Sequence, residues 1–206
     1  LSLDIIIKTC TSVNLVTQNK KRIFEREKSE YTFRTINSLI NSINFAKKTI
    51  NEIDFNITIV DHNSKLEDLN VIRNILENSN ISSKIINLKL NEYEKKITVL
   101  DKNNLIIEKN MKSTMASIKK SFELTNNING DLIYFVEDDY LHKKESILEM
   151  LFTYEKISTI CKNEVFLCPV DYPYLYMPSK KSEIFLGHNI HWRSVDESLL
   201  TFMTSK

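Results

Sequence analysis

Glycine is almost missing: the 206 residues hold two, Gly130 and Gly187. No GxGxxG and no GxxxxGK[ST] can be written, so the glycine turns that bring backbone N–H groups onto a phosphate are excluded. The three cysteines, Cys10, Cys161 and Cys168, are scattered and form no CxxC pair. Neither a zinc knuckle nor a disulfide framework is indicated, and a reducing compartment is expected. No apolar run exceeds about five residues, against the roughly twenty that a membrane-spanning helix needs. The balance of 28 basic and 27 acidic side chains gives a net charge of +1 and no general reason to expect nucleic acid as a partner. No basic stretch followed by a long apolar core opens the chain, so no signal peptide is read. A cytoplasmic location, or a peripheral one at a membrane, is the expectation. The first residue is Leu1 and not Met, so the chain is expected to be an excised piece, open to continuation past residue 206.

What remains is an ordinary globular composition, 42% hydrophobic and 27% charged. The length favours one domain over residues 1–206 with its own core. Asp4–Lys8, Asn56–Val60, Lys84–Leu90, Leu132–Val136 and Val165–Val170 read as strands. Phe33 to Ala46, Leu69 to Leu76, Met111 to Leu124 and Ser146 to Ile160 carry apolar stripes at helical spacing. Thr11 to Glu30 is long for a loop and is expected to hold a short helix or to close over something. Ile97–Leu100 and Leu105–Ile107 read as a small hairpin around Asp101. Strand and helix alternate through the first 170 residues or so, which predicts an α/β fold. The expected architecture is a mostly parallel central sheet flanked by helices on both faces, with a smaller segment at the end. Residues 1–140 form the first half; 141–206, where prolines, tyrosines and histidines gather, form the second.

Ligands of such sheets bind beyond the carboxyl ends of the strands. Polar clusters fall there three times: Lys8 to Thr11, with Thr9 at its centre, Asp61 to Ser64, and Glu137 to Asp139. The last is the sharpest feature. Three consecutive carboxylates repel one another unless something cationic offsets them. Hard divalent ions such as Mg²⁺ or Mn²⁺ take oxygen ligands of this kind. The bland alternative is a set of acids capping the next helix, and for Asp61 an Asx turn. Lys8, Arg34, Lys112 and Arg193 are candidate cations for a phosphate, each with a solvated surface charge as its alternative.

The run Ile59-Val60-Asp61-His62-Asn63-Ser64, then Lys112-Ser113-Thr114-Met115-Ala116, then Asp131 to Asp139 resembles nucleotide-sugar glycosyltransferases of the GT-A fold, near family 2. The resemblance covers about Asp4 to Asp139; the tail around Gly187-His188 and His191-Trp192-Arg193 is similar to the acceptor half of some bacterial and viral members. It implies that Asp61 contacts the nucleobase and that Thr9, Lys112, Glu137 and Asp138 serve the donor nucleotide. Glu137 stands where the family has Asp, so the ribose contact falls to either Glu137 or Asp138. Asp139 would hold the metal on the diphosphate, with His188 and His191 as candidates to complete its shell. The donor would be a nucleoside-diphosphate sugar, UDP ahead of GDP, and the acceptor a glycan or lipid-linked hydroxyl, as in polysaccharide biosynthesis. Inverting transfer needs a base at the acceptor. Asp171, Asp196 and Glu197 are the candidates, and Trp192, Tyr172, Tyr174 and Tyr176 suit stacking on sugar rings.

Three rivals share parts of the pattern. A two-component receiver domain would need an Asp near residues 180–185, where there is none, and more chain after Asp139. A sugar-phosphate nucleotidyltransferase would need a glycine-rich loop after the first strand, and none follows Lys8. A non-catalytic sugar- or nucleotide-binding module would not need a carboxylate triplet on a buried strand.

Overall fold

The structure, a computed structural model, describes residues 1–12, 26–94, 97, 105–176 and 181–206. Its elements in chain order are β1 (Ser2–Thr9), α1 (Lys28–Lys47), β2 (Asp54–Asp61), α2 (Leu66–Glu77), β3 (Ser82–Asn87) and α3 (Leu105–Thr125). Then come β4 (Leu132–Glu137), α4 (Ser146–Cys161), β5 (Ile184–Leu186), β6 (His191–Arg193) and β7 (Phe202–Ser205). The main sheet runs β3-β2-β1-β4-β7; its first four strands are parallel and β7 is antiparallel. β5 and β6 form a separate antiparallel hairpin.

The α/β expectation holds, and the strand sequences explain it. Alternate side chains of β1 enter opposite cores. Leu3, Ile5 and Ile7 pack with Ile36, Leu39 and Ile43 of α1, Ile72 of α2 and Ile147 and Met150 of α4. Ile6 points the other way, to Val60, Ile133, Phe135 and Ala116 of α3. Buried on both faces, these strands are the near-continuous apolar runs that a parallel sheet requires.

Two details of the helices depart from their stripes. In α3 the methionines and Phe122 are substantially exposed, and Ser113, Ala116, Ser117 and Ser121 form the buried face. Their small size lets the helix approach the sheet closely. The hydroxyls of Ser117 and Ser121 are satisfied within the helix, on the carbonyls of Ser113 and Ser117. In α4 no side chain of its own caps the first turn. One α1 hydroxyl serves instead: the Ile147 N–H donates to Ser42 Oγ (2.9 Å), while Ser38 Oγ accepts the His142 N–H (3.0 Å) in the loop before the helix.

The expected hairpin is corrected: Leu105–Ile107 open α3, while 98–104 lie outside the described residues. So does most of the segment from Thr11 to Glu30, whose end, from Lys28, is the first turn of α1. Val165–Val170 is also corrected. Only Leu167 makes a bridge, to Met203 of β7. Pro169 has no N–H to offer a ladder, and β7 occupies the sheet position beside β4. The last residues therefore return to the main sheet rather than standing apart from it. No helix among the described residues is long and apolar enough to cross a membrane.

Candidate active site

The winding of the sheet reverses at β1, which has β2 on one side and β4 on the other. A crevice at such a reversal is where open α/β sheets bind ligands. The register places polar pairs there. Lys8 stands opposite Glu137, and their charged groups are 2.7 Å apart. Thr9 stands opposite Asp61 and donates its hydroxyl to Asp61 Oδ1 (2.7 Å).

Asp61 is 1% exposed. Ser64 Oγ also donates to its Oδ1 (2.5 Å), and the Ser64 N–H to its Oδ2 (3.3 Å). The Thr11 N–H then donates to Ser64 Oγ (2.9 Å), and the Lys65 N–H to Thr11 Oγ1 (3.1 Å). Asn63 takes the left-handed backbone that the turn needs, with φ 61°. One carboxylate thus ties the loops after β1 and β2 together. The Asx-turn role is realised, and Asp61 also borders a cleft of about 310 Å³ between α2 and β3, with Arg73 and Asn87.

The acidic triplet divides because successive residues at a strand end point to opposite sides. Glu137 pairs with Lys8. Asp138 turns inward, where Lys28 Nζ lies 2.6 Å from Oδ1 and Thr32 Oγ1 donates to Oδ2 (2.9 Å). Burial holds the Asp138 carboxyl above the usual range, even with the Lys28 ammonium beside it. Its side chain is thereby held against α1. Asp139 is exposed.

Among the described residues no three His, Cys, Asp or Glu side chains converge to hold a metal. The expected company of His188 and His191 with Asp139 is therefore not formed. The His188 ring stacks on Phe152 instead, centroids 4.6 Å apart, and His191 is an exposed residue of β6. The donor set still fits a hard cation. Mg²⁺ and similar ions are content with one or two carboxylates, completing their shells with water and substrate phosphate oxygens. Asp139 offers such a ligand. Lys112 is partly buried on α3.

A cleft of about 740 Å³ lies between α4 and the tail. Tyr172, Trp192, Arg193, Asp171, His191 and Glu197 are among its walls. Arg193 Nη2 is 2.6 Å from Asp171 Oδ1, and its guanidinium lies over the Tyr176 ring, 4.2 Å from the centroid. Tyr176 Oη also donates to Asp171. The Arg193 contact foremost, with that hydroxyl, holds the Asp171 carboxyl below the usual range. Tyr140 and Tyr172 join hydroxyl to hydroxyl. Burial raises both phenols, so both stay protonated through the neutral range.

Glu149 organises this side, and sequence reasoning missed it. An acid in the first turn of α4 reads as a partner of the helix dipole. Instead its carboxylate accepts the His188 N–H (3.0 Å), the Asn189 N–H (2.8 Å), the Trp192 indole N–H (3.1 Å) and the Thr153 hydroxyl (3.0 Å). A Cβ on Gly187 would meet Trp192 at 2.5 Å and Glu149 at 2.6 Å, so only glycine fits between them. Burial pushes the Glu149 carboxyl up, but these four donors outweigh it and hold the group below the usual range. A depressed carboxyl contributes stability that is complete above its unfolded value, about 4.3, and is lost as pH falls through the folded value. Acidification below about pH 4.3 should therefore release the β5–β6 hairpin before the sheet unfolds. Trp192 is the single tryptophan, so its emission reports the event. Glu149→Gln should remove that acid step. An identical acid transition in the variant would show that another group controls it.

No protein-family model matches the sequence, and no curated protein matches it. In three dimensions the chain is similar to the crystal structure of S. aureus TarS 1-349 in complex with UDP: TM-score 0.47, 14% identity, covering 88% of this chain and 40% of that one. It is also similar to glucosyl-3-phosphoglycerate synthase from Mycobacterium tuberculosis in complex with UDP, with TM-score 0.35, 11% identity, and coverage of 77% of this chain and 40% of that one. A third is galactosyltransferase LgtC in complex with donor and acceptor sugar analogs, with TM-score 0.34, 8% identity, and coverage of 66% of this chain and 37% of that one. The chain thus spans two fifths or less of the length of each. The likeness is one of fold alone.

Proposed function

We propose that this chain carries the donor site and part of the acceptor site of a GT-A-type glycosyltransferase, which moves a sugar from a nucleoside diphosphate, UDP ahead of GDP, onto a glycan or lipid-linked hydroxyl. One observation carries the proposal. The sheet reversal brings the Thr9–Asp61 and Lys8–Glu137 pairs and the exposed Asp139 to one end, with a 740 Å³ aromatic-walled cleft on the tail side. A nucleotide at that end would lie toward the Asp61 cleft, its diphosphate toward Asp139, its sugar toward the larger cleft. Asp139 would hold Mn²⁺ or Mg²⁺, which when bound neutralises charge on the departing diphosphate.

Inverting transfer is the expected chemistry. The acceptor oxygen attacks the anomeric carbon, the bond to the diphosphate breaks, and a base takes the acceptor proton. Asp171 is a poor base while Arg193 holds its carboxyl low. Asp196 and Glu197 remain, and Glu197, which lines the cleft, is the favoured one. Incubation with UDP- and GDP-sugars, Mn²⁺ and glycan acceptors should release nucleoside diphosphate, and NMR should show an inverted anomer. Glu197→Gln should lower turnover by about a hundredfold, and Asp171→Asn by only a few-fold. Release from no donor would overturn the proposal; a fully active Glu197→Gln enzyme would move the base elsewhere.

A further inference from the structure

Tyr140 follows Asp139 in the chain, and Tyr172 belongs to the wall of the 740 Å³ cleft. Their hydroxyls bond to each other across the two halves of the molecule. The rings meet edge to face with centroids 6.4 Å apart, and Tyr172 stacks on Tyr174 at 5.5 Å. Both hydroxyls are therefore fixed in place before any ligand arrives, which lowers the entropic cost of contacting one. Two hydroxyls carry two protons and spend one on their shared bond. Among the described residues neither hydroxyl has another partner. One O–H donor and several lone pairs are left at the boundary between the acidic strand end and the cleft. That is the inventory a sugar hydroxyl needs, since it too donates and accepts.

We propose that the Tyr140–Tyr172 hydroxyl pair is the sugar-reading element of the donor site and hydrogen-bonds a ring hydroxyl of the sugar being transferred. This rests on the donor assignment above. A sugar linked to the terminal phosphate extends from the Asp139 end toward the cleft, and the tyrosine pair stands between the two. On the placement proposed above, the nucleoside and diphosphate would lie on the other side of Asp139, away from the pair. The pair therefore distinguishes a nucleotide sugar from its bare nucleotide.

Calorimetric titration in Mn²⁺ tests this with UDP, GDP and their glucose, galactose, N-acetylglucosamine and mannose derivatives. The proteins are the unmodified chain, Tyr172→Phe and Tyr140→Phe, each checked for an unchanged melting transition. Phenylalanine keeps the ring contacts and removes only the hydroxyl. For the nucleotide sugar that the unmodified chain binds best, each variant should bind about tenfold more weakly, with bare nucleotide affinity within about twofold. Equal weakening of sugar and bare nucleotide would mark the pair as a support of the fold and overturn the assignment. Unchanged affinity for both would overturn it as well, as would a Tyr172→Phe chain that no longer folds, since the hydroxyl would then be structural. An unmodified chain that binds neither UDP nor GDP overturns the donor assignment itself, and this inference with it.

Discussion

Asp139→Ala abolishes the Mn²⁺-dependent part of UDP binding and lowers turnover by about a hundredfold or more, with the melting transition nearly unchanged. The expectation follows from how the triplet divides. Glu137 is paired with Lys8 and Asp138 with Lys28, each pair under 3 Å, and Asp139 is the exposed carboxylate of the three. A metal clamp on a transferring phosphate contributes several kcal/mol, and each 1.36 kcal/mol is tenfold in rate. An exposed residue with no core role costs little stability on truncation. Affinity for UDP measured with and without Mn²⁺ separates the outcomes. A variant whose affinity still rises on adding Mn²⁺ would place the metal on another ligand.

Asp138→Ala is expected to have the opposite profile, with a large loss of stability. Asp138 is 6% exposed and pairs with Lys28, whose part-buried ammonium would be left without that partner. Breaking such a pair costs on the order of 3 kcal/mol. Burial holds the Asp138 carboxyl above the usual range despite Lys28, so the ionised pair does not recover its desolvation cost. Sign follows from that: a raised carboxyl favours the fold most below its unfolded value of about 3.9, and the benefit is lost as pH rises through the folded value. The double variant Lys28→Met with Asp138→Leu should therefore regain most of the stability that Asp138→Ala loses. Urea unfolding of the three proteins decides it. A single variant within about 1 kcal/mol of the parent would show that the pair is not a keystone of α1.

The contrast between these neighbours was only half legible in the sequence. The run Leu132–Val136 announces a strand buried on both faces, and the acids after it announce a charged strand end. Which acid faces inward depends on Lys28 and Thr32, more than a hundred residues earlier and on another element. The core strands β1, β2 and β4 are legible because a parallel sheet demands continuous apolar runs, and their ends fell within a residue or two of those expected. β7 was not, since Phe202–Ser205 is four residues of mixed polarity whose strand character comes from pairing with β4 and Leu167. The stripe Met111, Met115, Ile118, Phe122 and Leu124 marked the helix, and Leu124 does pack against the second core, but Met111 and Met115 are exposed because Ser113, Ala116 and Ser117 take the buried positions. Glu149 had no local signal for this role, because three of its four donors lie about forty residues further on. Asp61 was singled out for a nucleotide, and the structure shows the turn it builds with Thr9 and Ser64.

The measurement that bears most directly on the donor site is a crystal structure of the chain with UDP and Mn²⁺, using anomalous scattering at the manganese edge. The account predicts one manganese peak at the Asp139 carboxylate and on the diphosphate, with the uridine beyond the carboxyl ends of β1 and β2 and the open side of the diphosphate facing Tyr140 and Tyr172. A manganese peak away from Asp139, or uridine density at the opposite end of the sheet, would contradict it.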